Sequence, residues 1–428
     1  MDKFNIPENN KERIVIAGVG FAGLKLARKL LGTRYQVVLL DKRNFHQFQP
    51  LFYQVATAGL EPSSISFPVR KLFQKQSNIH YRNTDLKSVN PQKKTVETEF
   101  GALRYDKLVL ATGAYTNFFG NKQIEQNGLS MKTTAEAIYL RNRILQSFEQ
   151  AMFEDDKRKK HQLLSIAIVG GGPTGVELAG AIAEMRNHIL PKDYPEIDFS
   201  LMNVMLFEGS NRLLRSMSEQ SGDKALKFLQ KLDVNVHLNT RVQSFDNEKI
   251  KLANGETYET KNLIWAAGVT GKKIPGIDKE AVGNGNRIIV DQFHTVKDYE
   301  DIYAIGDLSL MFTKRYPNGH PQVAQVAIQQ ALNLARNFRK PDKTKPFEYR
   351  DKGSMATIGR NMAVVDLPWW RFSGFFAWLV WIFVHLMAIV GVKNRLFIFI
   401  NWASSYFSRD QSLRILVKPI KNKLEKYT

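Results

Sequence analysis

Two glycine triplets with the same spacing, Gly18-x-Gly20-x-x-Gly23 and Gly170-x-Gly172-x-x-Gly175, are the residues most clearly arranged for chemistry. In such a loop the first glycine makes a tight turn and the second lets the backbone approach a pyrophosphate. The third lets a helix pack closely on a strand. The helix that follows offers unpaired N–H groups and the positive end of its dipole to the phosphate. An acid at the end of the next strand accepts hydrogen bonds from a ribose. Asp41 and Glu208 stand in those two positions. An acid rather than an arginine at 208 favours the free 2′-hydroxyl of NAD over NADP, with Arg212 and Arg215 as opposing charges close by.

The elements that must position these residues flank them. Residues 13–17 (RIVIA) and 165–169 (SIAIV) have the composition of buried parallel strands. Each runs directly into its glycines and then into a helical pattern, at 24–30 and from 176 onward. Apolar runs at 36–40 and 203–207 lead to the two acids. The second acid lies farther from its glycines than the usual ~20 residues. Residues 185–198, with Pro191 and Pro195, read as a lengthened helix and a loop that take up the difference. A lone glycine loop is a weak signal. Strand, glycines, helix and acid in register, and then again, predict two dinucleotide sites in one chain. One tightly held flavin and one exchanging nicotinamide is the simplest pairing, because hydride passes from NADH to a flavin.

A length of 428 residues predicts two or three domains. The 61 Lys and Arg against 41 acidic residues give a formal charge of +20, which suits nucleic acid, anionic lipid or phosphate-bearing ligands alike. No nucleic-acid-binding motif is evident, so an anionic membrane surface is the favoured partner and nucleic acid is not expected. The chain has no cysteine, which excludes disulfides, cysteine zinc sites, iron–sulfur clusters and thiol redox chemistry. No metal site is expected. The first dozen residues are polar, so no secretory signal is read.

On these residues the chain resembles the two-dinucleotide-binding-domain flavoproteins. Residues 108–113 (LVLATG) and 263–268 (LIWAAG) look like that family's strand-to-loop crossings between domains. Residues 302–307 (IYAIGD) look like the segment whose Asp, here Asp307, contacts the flavin. Within the family the chain is most similar to type II NADH:quinone oxidoreductases, single-chain enzymes that do not pump protons. The similarity rests on 170–179 (GGGPTGVELA), on 324–330 (AQVAIQQ), on 48–51 (FQPL) and on the missing cysteine pair. The resemblance implies non-covalent FAD on the first fingerprint, with Gly18, Gly20, Gly23, Asp41, Pro50, Thr112, Gly113, Asp307 and Gln325 about it. It implies NADH as substrate on the second, with Gly170, Gly172, Gly175, Glu177, Glu208 and Gly268. It also implies quinone as acceptor and dimerisation through the C-terminal region.

Two motif residues have a bland reading beside the functional one. Glu177, close to the flavin by resemblance, also completes a Thr174-x-x-Glu177 capping box. Gln325 and Gln329 share a helix face, on a helix expected over 322–338 whose N-terminus would stabilise negative charge on the reduced ring.

Past Pro368 the composition changes. Residues 374–392 form an apolar run interrupted only by His385, with tryptophans clustered at its start. Nine Lys or Arg follow Pro368, against Asp410 and Glu425. The run meets the length of a membrane span. The basic tail instead favours an anchor lying in the interface, monotopic and peripheral, on the cytoplasmic face of the inner membrane. His385 is either a residue facing headgroups or a donor near the quinone.

The expected fold is α/β: two Rossmann-like dinucleotide-binding domains, the flavin domain discontinuous, plus a C-terminal helical membrane-binding region. The expected limits are 1–115 and 270–345 for the FAD-binding domain, 116–269 for the NADH-binding domain and 346–428 for the C-terminal region. Catalysis is expected to involve Glu177, Gln325 and His385. Two other readings remain open: a flavin reductase with a soluble acceptor, lacking a need for the aromatic C-terminus, and a non-enzymatic NAD-sensing membrane flavoprotein.

Overall fold

The apolar runs at 13–17 and 36–41 become neighbouring parallel strands, Arg13–Ala17 and Gln36–Asp41, with Val15 opposite Val38. They lie in a computed structural model that describes residues 4–410 and 413–416. The chain divides into two units. One holds residues to 47, 66–115 and 269–352; the other holds 48–65, 116–268 and 353 onward.

The first unit is built on a five-stranded parallel sheet in the order Ile302–Ala304, Lys107–Leu110, Arg13–Ala17, Gln36–Asp41, Ile79–Asn83. The helix Phe21–Lys29 packs against the helix Ala324–Arg339. In the second unit the parallel order is Asn235–His237, Val204–Phe207, Ile166–Val169, Asn262–Trp265. In both units the acid-bearing strand lies on one side of the glycine strand and the crossing strand on the other. The backbone bonds repeat as well. Gly18 N–H donates to Leu40 O at 2.7 Å, and Gly170 N–H to Phe207 O at 2.8 Å.

The division differs from the expected limits in three ways. The C-terminal region groups with the second unit from residue 353 instead of standing apart. Residues 48–65 belong with the second unit, because the helix Phe52–Ala56 packs on Thr134–Met152 and Pro173–His188. Its buried Phe52, Tyr53 and Val55 find their apolar neighbours there. The first unit also runs on to residue 352.

The C-terminal region is more than helical. Ser354–Gly359, Met362–Asp366 and Arg371–Ser373 form an antiparallel sheet that precedes the helices Phe375–Ala388 and Val392–Ser408. The apolar run 374–392 therefore does not make one helix. It breaks after Ala388, and Gly391 takes φ 87°, which only glycine adopts without strain. Among the described residues no helix is long and apolar enough to cross a membrane. The basic residues 418, 421, 423 and 426, with Glu425, lie outside the described residues.

Candidate active site

Each glycine loop is a cradle whose first and third glycines leave no room for a side chain. A Cβ on Gly18 would lie 2.3 Å from Ala111 O, and one on Gly23 would lie 1.9 Å from Gly18 O. At Gly20 nothing stands within 4 Å, so this is the side open to a ligand. Gly20 is also the N-cap of its helix and supplies no side-chain acceptor, which leaves the helix-start N–H groups facing the opening. Asp41 accepts from Val19 N–H at 2.7 Å and from Arg43 N–H at 2.9 Å. His46, which sequence reasoning passed over, bonds Val19 O through Nδ1 at 2.8 Å. Its partner is a carbonyl, so Nδ1 carries the hydrogen; burial holds the ring neutral, with its pKa down at about 4. Val19 is thus fixed at both its N–H and its C=O.

The second cradle repeats this in the other unit. A Cβ on Gly170 would lie 2.6 Å from Ala266 O, one on Gly175 would lie 1.9 Å from Gly170 O, and Gly172 is open. Glu208 accepts from Gly171 N–H at 2.5 Å and Ser210 N–H at 2.8 Å. Leu214 N–H donates to Gly171 O at 2.8 Å. Arg212, one of the charges set against an NAD preference, donates to the carbonyls of Met217 and Arg215. Gly268 sits under the Phe119 ring, 3.0 Å from where its Cβ would be.

Around the first cradle, Thr112 Oγ1 is buried without a hydrogen-bond partner and Gly113 has φ 73°. Asp307 lies in the turn Gly306–Leu308. That turn is held by Gln330, whose Oε1 accepts from Gly306 N–H at 2.7 Å, while Gln322 donates to Asp307 O at 2.9 Å. Of the glutamines in the 324–330 motif, Gln330 is the buried one. Gln325 accepts from Lys352 N–H at 3.1 Å, and Gln329 from Arg350 N–H at 3.0 Å. These two do share a face, and it clips the segment 350–352. The helix begins at Ala324, two residues later than expected. Pro50 lies in the short turn Gln49–Leu51 of the second unit.

Glu177 is not a capping residue. The glycine loop itself sets the helix start, so Gly172 is the N-cap, Pro173 opens the first turn, and Thr174 is exposed inside the helix. Glu177 lies one turn deeper, only 9 % exposed, and accepts from Thr357 N–H at 3.4 Å. Burial raises its carboxyl to about 8, against the smaller opposing pulls of that N–H and of Trp381. It lines a cavity of about 640 Å³ with Tyr53, Gln54, Trp381 and Trp402. Trp402 Nε1 donates to Gln54 at 2.7 Å, and Gln54 donates to the Tyr53 hydroxyl at 2.8 Å. Burial, then the neighbouring Glu177, push the Tyr53 hydroxyl up.

His385 faces inward rather than toward headgroups. Its Nδ1–H donates to Trp381 O at 2.8 Å, and its ring stacks on Trp381 with centroids 4.1 Å apart. Burial lowers its pKa to about 4, so near neutral pH the ring is uncharged. Sequence reasoning missed Tyr53, Gln54, Trp381, Trp402 and Glu184. Only Glu184 left a signal, seven residues beyond Glu177 and so on the same helix face.

Two dinucleotide cradles, each with an acid fixing its loop, define a two-fingerprint nucleotide-binding oxidoreductase. Residues 12–331 match the pyridine nucleotide-disulphide oxidoreductase family, and residues 352–410 match the NDH2 C-terminal domain. The chain is 35 % identical to the type II NADH:quinone oxidoreductase NdhA of Mycobacterium tuberculosis, across 93 % of this chain and 88 % of that protein. It is 28 % identical to the mitochondrial external NADH-ubiquinone oxidoreductase 2 of Saccharomyces cerevisiae, across 94 % and 82 %. The structure of NDH2 from Plasmodium falciparum, in complex with NADH, shares the fold with a TM-score of 0.88 at 22 % identity, covering 96 % of this chain and all of that one. The chain belongs to the type II NADH:quinone oxidoreductase family.

Proposed function

We propose that this chain is a membrane-attached NADH:quinone oxidoreductase, using FAD on the first cradle and NADH on the second, without pumping protons. The observation that carries the reading is the pair of acid-fixed cradles in one chain. FAD fits the first: Gly20 is open, the helix-start N–H groups face the opening, and buried Thr112 Oγ1 has an unfilled hydrogen-bonding capacity. Gly18, Gly20, Gly23 and Asp41 would hold its nucleotide half; Thr112, Gly113, Asp307, Pro50 and Gln325 are assigned to it as well. A bound flavin supplies a ring that accepts two electrons from a hydride donor and passes them to a quinone. Gly170, Gly172, Gly175, Glu208 and Gly268 bind and orient NADH. Glu177, protonated at neutral pH, is the acid that hands a proton to the reduced acceptor. His385, neutral and fixed on Trp381, orients that wall of the cavity rather than carrying a proton.

Stopped-flow absorbance at the flavin band tests the reading. Fast bleaching by NADH and fast anaerobic recovery with quinone are expected. Bleaching without recovery would redirect the search to another acceptor, and no bleaching would overturn the enzyme reading. Glu208→Gln loses the charge that fixes Gly171 and meets the ribose. The KM for NADH should rise about tenfold, with the preference over NADPH narrowed; an unchanged KM removes Glu208 from the nucleotide site.

Membrane attachment rests on the two C-terminal helices. In Phe375–Ala388 the positions Phe376, Leu379, Phe383 and Met387 point outward at helical spacing, while Ala377 and Trp381 point inward. Trp369 and Phe407, 96 % and 84 % exposed, extend the apolar surface. A face of this kind beside basic residues suits the interface of an anionic bilayer, peripheral and on the cytoplasmic side. Removing the chain from 369 onward would also strip out buried Trp381, so point substitutions make the cleaner test. Phe376→Ser with Phe383→Ser and Phe407→Ser should abolish co-sedimentation with anionic vesicles while NADH still bleaches the flavin. Retention on vesicles would sink the assignment. A homodimer through this region completes the reading; sedimentation velocity in detergent measures it.

A further inference from the structure

The helix Pro173–His188 turns one stripe of side chains toward the 640 Å³ cavity: Glu177, Ala181, Glu184 and His188. Their spacing of four, three and four residues is that of a single helix face. Along the stripe burial falls steadily: Glu177 is buried, Glu184 half-buried and His188 exposed. On this stripe the residue between the two carboxyls is Ala181, whose methyl is the least bulk a side chain can add there. The two acids lie seven residues apart, about 10 Å along the helix, too far for direct proton transfer.

The cavity wall supplies what a water chain needs. Asn361 lines the cavity, and its Oδ1, an acceptor, is buried without a hydrogen-bond partner. Trp381 Nε1, a donor on a residue 2 % exposed, is near enough to draw on the Glu177 carboxyl yet closes no hydrogen bond of its own. Buried polar atoms of this kind are satisfied by ordered water. Glu184 itself accepts from Arg360 N–H at 2.5 Å. Burial raises its carboxyl, against the opposing pull of that N–H and of the Arg360 and Arg409 charges. The other titratable groups lining the cavity are Tyr53, which is buried, Tyr406 on the helix Val392–Ser408, and the exposed His188 and Lys231. Lys192 adds its charge beside His188.

We propose that this cavity is the proton-entry path for quinone reduction and that Glu184 relays protons along it to Glu177. The inference rests on the functional reading above. The balance requires such a path: NADH, quinone and one proton from water give NAD⁺ and quinol, so each turnover draws a proton from solution. When Glu177 has given its proton to the reduced acceptor, the Glu184 carboxylic acid releases its own through the intervening water to the Glu177 carboxylate. Glu184 then takes a proton from solvent past His188. No electron moves along this route, and the bonds made and broken are O–H bonds only.

The test follows the two half-reactions separately by stopped flow in the full-length, detergent-extracted protein with a short-tailed quinone. Glu184→Gln keeps an acceptor for Arg360 N–H but cannot pass a proton. Bleaching by NADH should be unchanged, and recovery with quinone about tenfold slower, most so at the alkaline end of the pH profile. Acetate or formate at high concentration should restore the rate, and so should Glu184→Asp in part. Ala181→Leu, which fills the gap without removing a titratable group, should slow recovery in the same way and resist acetate. Recovery at the wild-type rate in both variants from pH 6 to pH 9 overturns the proposal. Slowing that neither acid nor Glu184→Asp relieves assigns Glu184 a structural role and overturns it too. Wild-type protein that bleaches but is not reoxidised by quinone overturns the functional reading itself, and this inference with it.

Discussion

Gly180→Ala is expected to destabilise the second unit by about 3 kcal/mol or more, the cost of forcing volume into a closed contact. Helix propensity alone predicts the opposite sign, since alanine is favoured over glycine inside a helix by about 1 kcal/mol. The contact decides the outcome. Gly180 lies in the middle of Pro173–His188, where a Cβ would come 1.5 Å from Ile358 O, a backbone atom of the strand Ser354–Gly359. A backbone neighbour cannot swing aside as a side chain does, so helix and strand must separate. That separation also breaks the two bonds flanking Gly180, from Thr357 N–H to Glu177 and from Arg360 N–H to Glu184. Urea unfolding of wild type and variant measures the loss. A variant as stable as wild type would mean that the helix does not lie this close to the strand.

Glu177→Gln is expected to slow quinone reduction about a hundredfold and at the same time to make the protein more stable in alkaline solution. The two effects share one cause. The carboxyl titrates at about 8 when folded and near 4.5 when exposed, because burial disfavours its charged form. Between those values the folded chain holds a proton that the unfolded chain has released. Its contribution to stability is therefore fully present below 4.5, falls as pH rises through the window, and is gone above about 8. Each tenfold difference in proton affinity between the folded and unfolded chain is worth about 1.4 kcal/mol, so the fall amounts to a few kcal/mol. A glutamine of nearly the same shape has no charge to bury and shows no such fall. The difference in unfolding free energy between variant and wild type should therefore grow from pH 5 to pH 9. A flat difference would place the carboxyl in contact with solvent. A wild-type rate of flavin reoxidation would take Glu177 out of proton delivery.

Much of the nucleotide chemistry could be read from the chain because its signals are local. A glycine loop, the strand before it and the helix after it lie within about a dozen residues of one another. Their requirements are steric and so written directly in residue type: Gly18, Gly23, Gly170 and Gly175 stand where a Cβ would strike a backbone oxygen. The acids Asp41 and Glu208 were legible for the same reason, each closing the strand beside its own loop. Even the break between the crossing strands and the loops after them follows from local composition.

What the sequence left open lies wherever a helix face or a segment takes its meaning from distant residues. The 324–330 motif contains three glutamines, but only packing against the turn Gly306–Leu308 makes Gln330 the buried one and sends Gln325 and Gln329 to the segment 350–352. Residues 48–65 follow the first fingerprint in sequence and yet fold with the second unit, where their apolar side chains are buried. The reading of Glu177 as a cap failed because the glycine loop, not Thr174, begins the helix. The elements that close over its carboxyl, carrying Thr357 and Trp381, lie about 200 residues away in sequence. Composition and spacing determine which local elements can form and which ligands their backbones can accept. Burial, and with it the charge state of Glu177, is decided only when distant elements close over it and exclude water.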